Sequence, residues 1–396
     1  MKHVLAISTL YPNPVNPRFG TFVARSLEAL AARGDWRVTV INPIGIPPVA
    51  VGRYKALSQL DDTARENGIT VHRPRFTLIP KVGARRNAAA IAKAVLPLAQ
   101  SIDARHPVDI VDAQFFFPDG PAAAQIAAAL DKPLSIKARG SDITYWGKQE
   151  SAAGQIREAA QAATGLLSVS EALKQDMAEM GLPKEKITVH YTGLDRDRFR
   201  PLDHTQLRSQ ITSALEFKLP DNAPLLLCVG ALIERKGQAF VIEALPDIPG
   251  ARLVLVGKGE DEDKLRNLTR DKGVADRVHF AGSIDHDLLP LLLSAADVMV
   301  LPTANEGLAN AWVESLACGT PVVTGDVGGA REVITSDVAG RLLPDLSARS
   351  VADAVTAVLN APPRRIDVAA FAERFSWENN AAQLASHYDR LLTAAE

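Results

Sequence analysis

Short runs of valine, isoleucine and leucine recur along the chain, each followed by an alanine-rich stretch of helical length. Runs this apolar bury both faces of a strand, and the intervening helices supply the cover, so the pattern is that of parallel strands in an α/β fold. Strands are expected near Val4 to Ile7, Arg37 to Ile41, Ile69 to His72, Asp109 to Ala113, Leu134 to Lys137, Leu166 to Val169 and Ile187 to His190. After the polar stretch Asp195 to Asp203 the alternation restarts, with strands near Leu225 to Val229, Arg252 to Val256, Val278 to Ala281, Val298 to Leu301 and Val322 to Val323. A restart within 396 residues, where one domain usually takes about 100–200, predicts two doubly wound, Rossmann-like domains. The expected division is 1–193 and 194–375, with the break at Pro362-Pro363 preceding a C-terminal helix, 376–396, that returns to complete the first domain. Ligands of open parallel sheets bind beyond the carboxyl ends of the strands, so two such domains facing across a cleft would hold a ligand between their strand-end loops.

Composition removes several classes of function. Lys plus Arg total 44 against 46 Asp plus Glu, and a net charge of −2 gives no general attraction to nucleic acid. Cys228 and Cys318 stand alone, 90 positions apart, which argues against a zinc site or a disulfide framework and fits a reducing, cytoplasmic compartment. The apolar run Val4 to Ile7 is too short for a signal peptide, and Leu288 to Ala296 is closed off by Asp287 and Asp297, so no membrane-spanning segment is expected. No metal or resident cofactor is expected either.

The segment richest in chemistry follows the Val298 to Leu301 run: Pro302-Thr303-Ala304-Asn305-Glu306-Gly307-Leu308-Ala309-Asn310-Ala311-Trp312-Val313-Glu314-Ser315-Leu316-Ala317-Cys318-Gly319-Thr320-Pro321. It reads as strand, turn and helix. Gly307 would let the turn approach a ligand, the free N–H groups of the helix start would face an anion, and Gly319 would end the helix. Glu306 falls in the loop and Glu314 about two turns into the helix, a separation of about 10 Å that suits the two ends of one extended ligand. One carboxylate could meet a sugar while the other accepts from a ribose diol. Taken alone, the two would be ordinary glutamates of a helix start and a helix surface.

This segment resembles the signature of glycosyltransferase family 4, retaining enzymes of the GT-B fold. The resemblance extends over nearly the whole chain, through Val229-Gly230 with Lys236-Gly237, Val256-Gly257-Lys258-Gly259-Glu260, Phe280-Ala281-Gly282, and Ala317-Cys318-Gly319-Thr320-Pro321-Val322-Val323 with Gly328-Gly329 behind it. It implies that Glu306 lies at the reacting sugar, that Glu314 binds the nucleotide ribose, and that Gly307, Leu308 and Ala309 offer backbone donors to sugar and phosphate oxygens. Lys236 would meet the diphosphate, where a placed cation stabilises the leaving charge by about 3–4 kcal/mol. The family commonly has an arginine where this chain has Ala231, which makes Arg235 a candidate for the second cation. Gly257 and Gly259 would shape the loop near the base, or simply form a tight turn; a dinucleotide fingerprint is ruled out by Glu262 at its third glycine position.

In the first half, Gly20 closes the loop after the first strand and by resemblance lies near the diphosphate. Lys137-Ala138-Arg139-Gly140-Ser141-Asp142-Ile143 resembles the family's H-G-x-D segment with Arg139 in place of histidine, which puts Arg139 and Asp142 on the sugar or acceptor side. A permanent cation there favours an acidic donor or acceptor; the competing reading is an Arg139–Asp142 pair that only stiffens the loop. Lys81, Arg85, Arg86 and Lys93 lead into an Ala/Ile/Leu segment reaching Leu98, which either lies on an anionic membrane or presents a solvated charged face.

The resemblance implies transfer of a hexosyl unit from a nucleoside diphosphate sugar to a glycan or lipid-linked acceptor, with retention, in cell-surface polysaccharide or glycolipid synthesis at the inner face of the membrane. Two other readings stay open: a nucleotide-sugar epimerase of the same fold, and a non-catalytic nucleotide-sugar-binding subunit, which Ala231 makes conceivable.

Overall fold

The computed structural model describes residues 1–79, 84–215, 217, 219–220, 222–285 and 287–395. The chain divides into two compact units, Met1–Gly193 with Trp377–Glu396, and Leu194–Ser376. Strands of the first unit are β1 (Lys2–Ile7), β2 (Trp36–Ile41), β3 (Ile44–Ile46), β4 (Thr63–Glu66), β5 (Ile69–His72), β6 (Arg75–Thr77), β7 (Ile110–Ala113), β8 (Leu134–Ala138), β9 (Gly165–Ser168) and β10 (Ile187–Val189). Those of the second are β11 (Leu225–Val229), β12 (Arg252–Val256), β13 (Val278–Gly282), β14 (Val298–Leu301), β15 (Val322–Gly325) and β16 (Gly340–Leu343).

The first sheet has the order β10-β9-β8-β7-β1-β2-β5-β4, parallel except for β4, which pairs antiparallel with β5. It is doubly wound because successive residues of one strand feed two different cores. In β1, Leu5 and Ile7 join the layer formed with helices Ala84–Arg105, Asp119–Leu130 and Glu150–Ala162. Val4 and Ala6 join the opposite layer with helices Thr21–Ala32 and Trp377–Ala395. All four are fully buried, which is why the run reads as continuously apolar. The C-terminal helix therefore supplies Leu384, Tyr388 and Leu391 to the core of the unit that begins the chain.

The second sheet has the order β13-β12-β11-β14-β15-β16, and every pair is parallel. In both sheets the chain builds outward on one side and then crosses over, so the loops on either side of the crossover diverge. These switch points lie between β1 and β7 and between β11 and β14, and each opens a crevice at the carboxyl ends of its strands.

Four strands escape the apolar pattern. Thr63–Glu66 is a polar edge strand, Gly340–Leu343 is an edge strand begun by glycine, and Ile44–Ile46 and Arg75–Thr77 form a separate two-stranded pair. Edge and satellite strands are covered on fewer sides and need no apolar run. The segment proposed to lie on a membrane is also corrected. Along helix Ala84–Arg105, Ala88, Ile91, Ala92, Val95 and Ala99 are buried in the first unit's core, with Leu96 and Leu98 packed against it, so its apolar face is already used. Arg86 and Lys93 are exposed on its other side, and Lys81 lies outside the described residues. Among the described residues no helix is long and apolar enough to cross a membrane.

Candidate functional site

Two loops frame the crevice of the second sheet. The one after β11 ends in the turn Glu234–Lys236; the one after β14 leads from Pro302 into helix Asn310–Ala317. They are strapped together, with the Ala304 N–H donating to the Arg235 carbonyl at 2.8 Å and the Thr303 hydroxyl donating to the same oxygen at 3.1 Å. Lys236 and Glu306, 70 positions apart, meet across this junction in a direct ion pair. Their side chains are only 12% and 14% exposed, so the pair is largely removed from water and its charges are weakly screened.

The Glu306 carboxylate has further company. The Thr303 hydroxyl, whose one proton the Arg235 carbonyl also draws on, lies 3.2 Å from Oε1, and Arg235 Nη1 lies 3.5 Å from the same atom while donating to the Asn305 carbonyl at 2.9 Å. Two cations thus share one carboxylate. Ala231 itself contributes only its carbonyl, which accepts from Gln238 Nε2 at 2.8 Å. Thr303, fully buried, passed unnoticed in the sequence; a hydroxyl immediately before a motif carries no spacing signal of its own.

Gly307 is not among the left-handed glycines, so its turn is made without a positive φ. The glycine that permits close approach is Gly328, in the loop after β15. Its φ is +49°, and a Cβ there would lie 1.7 Å from the Glu306 carbonyl oxygen. The neighbouring Gly329 N–H donates to the Gly307 carbonyl at 2.7 Å, so the Gly328-Gly329 pair props the loop bearing Glu306 from behind. Among the described residues the N–H groups of Gly307, Leu308 and Ala309 have no protein acceptor, and they precede the amino end of helix Asn310–Ala317. Gly257, with φ +144°, is pressed against the Gly230 carbonyl, which gives it a packing reason independent of any ligand.

Glu314 is the fifth residue of its helix, little more than one turn in, because the helix starts at Asn310 and not within the glycine turn. It is partly exposed, and burial pushes its carboxyl up to about 7 against the opposing pull of Arg198. A carboxylate kept short of partners in this way is ready to accept hydrogen bonds from a ligand.

The crevice of the first sheet holds the other expected residues. Gly20, with φ +73°, folds the loop after β1 back onto the Leu10 carbonyl and starts helix Thr21–Ala32. Asp142, fully buried, accepts from the backbone N–H groups of Phe116 at 2.9 Å, Arg139 at 3.0 Å and Gly140 at 2.8 Å. It therefore stiffens the loop through the main chain, and the expected side-chain pair with Arg139 is absent. The Arg139 guanidinium turns instead to Gln114 and to the Phe22 ring, two residues the sequence reading did not single out. In the same crevice Asp119, also buried, accepts from the Thr9 N–H and hydroxyl, each at 2.8 Å, and burial raises it to about 7.

The model of glycosyl transferases group 1 matches residues 212–375 and that of glycosyltransferase family 4 matches residues 19–198, so together they take in both sheets and both crevices. The chain belongs to glycosyltransferase family 4. A family relative, the GDP-mannose-dependent α-(1-6)-phosphatidylinositol monomannoside mannosyltransferase of Mycobacterium tuberculosis, is 35% identical over 211 residues, 49% of this chain and 53% of that protein. The chain thus spans about half the length of that relative. A putative teichuronic acid biosynthesis glycosyltransferase of Bacillus subtilis is 28% identical over 89% of this chain and 88% of its own. Among solved structures, sucrose-phosphate synthase from Thermosynechococcus elongatus superposes with a TM-score of 0.77 over 100% of both chains at 21% identity, a likeness of fold. The fold is GT-B, with a Rossmann-like sheet in each unit.

Proposed function

We propose that the protein transfers a hexosyl unit from a nucleoside diphosphate sugar to a glycan or lipid-linked acceptor with retention of configuration. The observation that carries this reading is the Lys236–Glu306 pair, set by two loops at the switch point of the second sheet beside unpaired backbone donors. Lys236 and Arg235 stabilise the diphosphate as its charge develops, Gly307, Leu308 and Ala309 offer N–H groups to phosphate and sugar oxygens, and Glu314 accepts from the ribose hydroxyls. Glu306 orients Lys236 and supports the sugar as the anomeric centre becomes cationic. The leaving phosphate oxygen takes the acceptor's proton, so the step needs no strong protein base, and the first unit, with Arg139 and Asp142, receives the sugar or the acceptor. The named relatives, a mannosyltransferase and a teichuronic acid biosynthesis enzyme, support a role in cell-surface glycolipid or polysaccharide synthesis. Transfer from UDP-, GDP- and ADP-hexoses to lipid-linked acceptors, with the product anomer read by proton NMR, tests the reading. A retained anomer supports it; donor turnover without acceptor, by epimerisation, would replace it.

We further propose peripheral contact with an anionic membrane from the cytoplasmic side. Residues 36–60 and 67–102 contain no Asp or Glu although the chain has 46, and they carry Arg53, Lys55, Arg86 and Lys93, all exposed. Val49, Val51 and Ile79 stand 74%, 66% and 42% exposed, on chain leaving the same end of the parallel pair β3 and β6, with Arg53 and Lys55 following Val51 closely in sequence. Cations at headgroup level with a few inserted aliphatics make a weak, salt-sensitive anchor.

A further inference from the structure

Arg139 follows β8 directly and Gln114 follows β7 directly, so both stand at the carboxyl edge of the first sheet beside its switch point. The guanidinium is held on two sides by one residue. Its Nε donates to the Gln114 carbonyl at 2.7 Å and one Nη donates to the Gln114 Oε1 at 2.5 Å, while the Phe22 ring lies 4.8 Å from its central carbon. Gln114 is fully buried and has no freedom to turn, because its amide nitrogen donates to Asp112, itself fully buried. Arg139 is thereby fixed in rotamer and plane by neutral partners.

Its charge is answered by the protein only at a distance, through Asp142 and Asp112. Among the described residues no carboxylate forms an ion pair with the guanidinium, and the nearest acid in the chain, Asp142, is saturated by backbone N–H groups. A cation this withdrawn from water ordinarily recruits a carboxylate, since leaving it uncompensated is costly. As a residue Arg139 is nevertheless partly exposed, at the carboxyl edge of the sheet. A rigid fork with no carboxylate in direct contact matches the oxygen pair of a carboxylate or phosphate.

We propose that Gln114 positions Arg139 as a reader of an oxyanion on the substrate, a sugar carboxylate or a phosphate, and so selects acidic over neutral substrates. The proposal rests on the assignment of this face to the sugar or acceptor. Asp112, with Lys137 and Tyr388 around it, forms the buried base of the clamp and keeps the Gln114 amide from flipping.

The test uses the whole chain labelled with nitrogen-15 arginine, the Arg139 Nε–H signal being identified by its loss in Arg139→Lys. D-glucuronate, D-glucose 6-phosphate and D-glucose are titrated separately. The expected result is a saturable shift of the Arg139 signal with at least one anion, at an affinity about tenfold or more above that for glucose. The tighter of the two anions tells carboxylate from phosphate. Gln114→Leu, checked for folding by its amide spectrum, should weaken anion binding about tenfold and leave any glucose response unchanged. No response to either anion, or an equal response to glucose, overturns the proposal; an undiminished anion affinity in Gln114→Leu removes Gln114 from it. Nucleotide-sugar binding is followed in the same samples through residues of the second unit, so failure of the anion site and failure of the transferase reading appear as separate results.

Discussion

Lys236 and Glu306 neutralise each other in a site largely closed to water, so each substitution acts on the partner left behind as well as on the ligand. Lys236→Ala leaves Glu306 with Arg235 and Thr303 still in contact, so the fold should hold while turnover falls by about 10²–10³, the usual cost of one leaving-charge stabiliser. Steady-state kinetics alongside a melting curve check this, and Glu306→Gln should behave alike. Glu314 adds a pH dependence. With its carboxyl raised to about 7 and the ionised form needed to accept from ribose, nucleotide affinity should fall as pH drops, about tenfold between pH 8 and pH 6. Calorimetric titration across that range measures it, and Glu314→Gln should flatten the profile. The stability sign is the opposite. The folded form holds this proton more tightly than the unfolded chain does, so stability from this group is present near pH 4.5 and lost as pH rises through 7.

At the scale of elements, the loop bearing Glu306 depends on a glycine from another loop. Gly328→Ala would place a methyl against the Glu306 carbonyl at a positive φ, so both the fold and the site should suffer, by about 1–3 kcal/mol in stability and a larger share of turnover. Denaturant melts and kinetics on the same variant separate the two effects. The motif from Pro302 to Pro321 was legible because strand, turn and helix each leave a local mark, and the central strands were legible because burial on both faces removes polar residues from them. The helix start at Asn310 was not, since no side-chain cap announces it. Gln114 and Phe22 were also hidden, because each acts on a partner made adjacent only by the packing of separate strands and helices, and Thr303 was hidden in part because it also meets Arg235, 68 positions away. The Arg139–Asp142 pair failed for a related reason: sequence shows which charges are near in chain, whereas backbone N–H groups had already claimed the carboxylate.

At the scale of the molecule, the last helix belongs to the first unit. A chain ending at Ser376 keeps the whole second unit but strips Leu384, Tyr388 and Leu391 from the opposite core, so the first unit should unfold while the second still melts cooperatively and binds nucleotide. Scanning calorimetry with and without nucleotide reads this out. Membrane contact, if electrostatic, should bring the chain down with anionic vesicles at low salt and release it as salt rises, with Arg53→Glu and Arg86→Glu weakening it; equal sedimentation with neutral vesicles would contradict that anchor. The claim on which the rest depends is that the crevice between β11 and β14 binds a nucleoside diphosphate sugar through Lys236 and Glu314. Thermal shift with UDP-, GDP- and ADP-hexoses tests it most directly. The account predicts that one nucleotide class, at about a hundredfold over its Kd, raises Tm by about 5–10 °C, and that Lys236→Ala and Glu314→Ala each abolish most of the rise. A rise undiminished in both variants, or none with any donor in the intact protein, would contradict it.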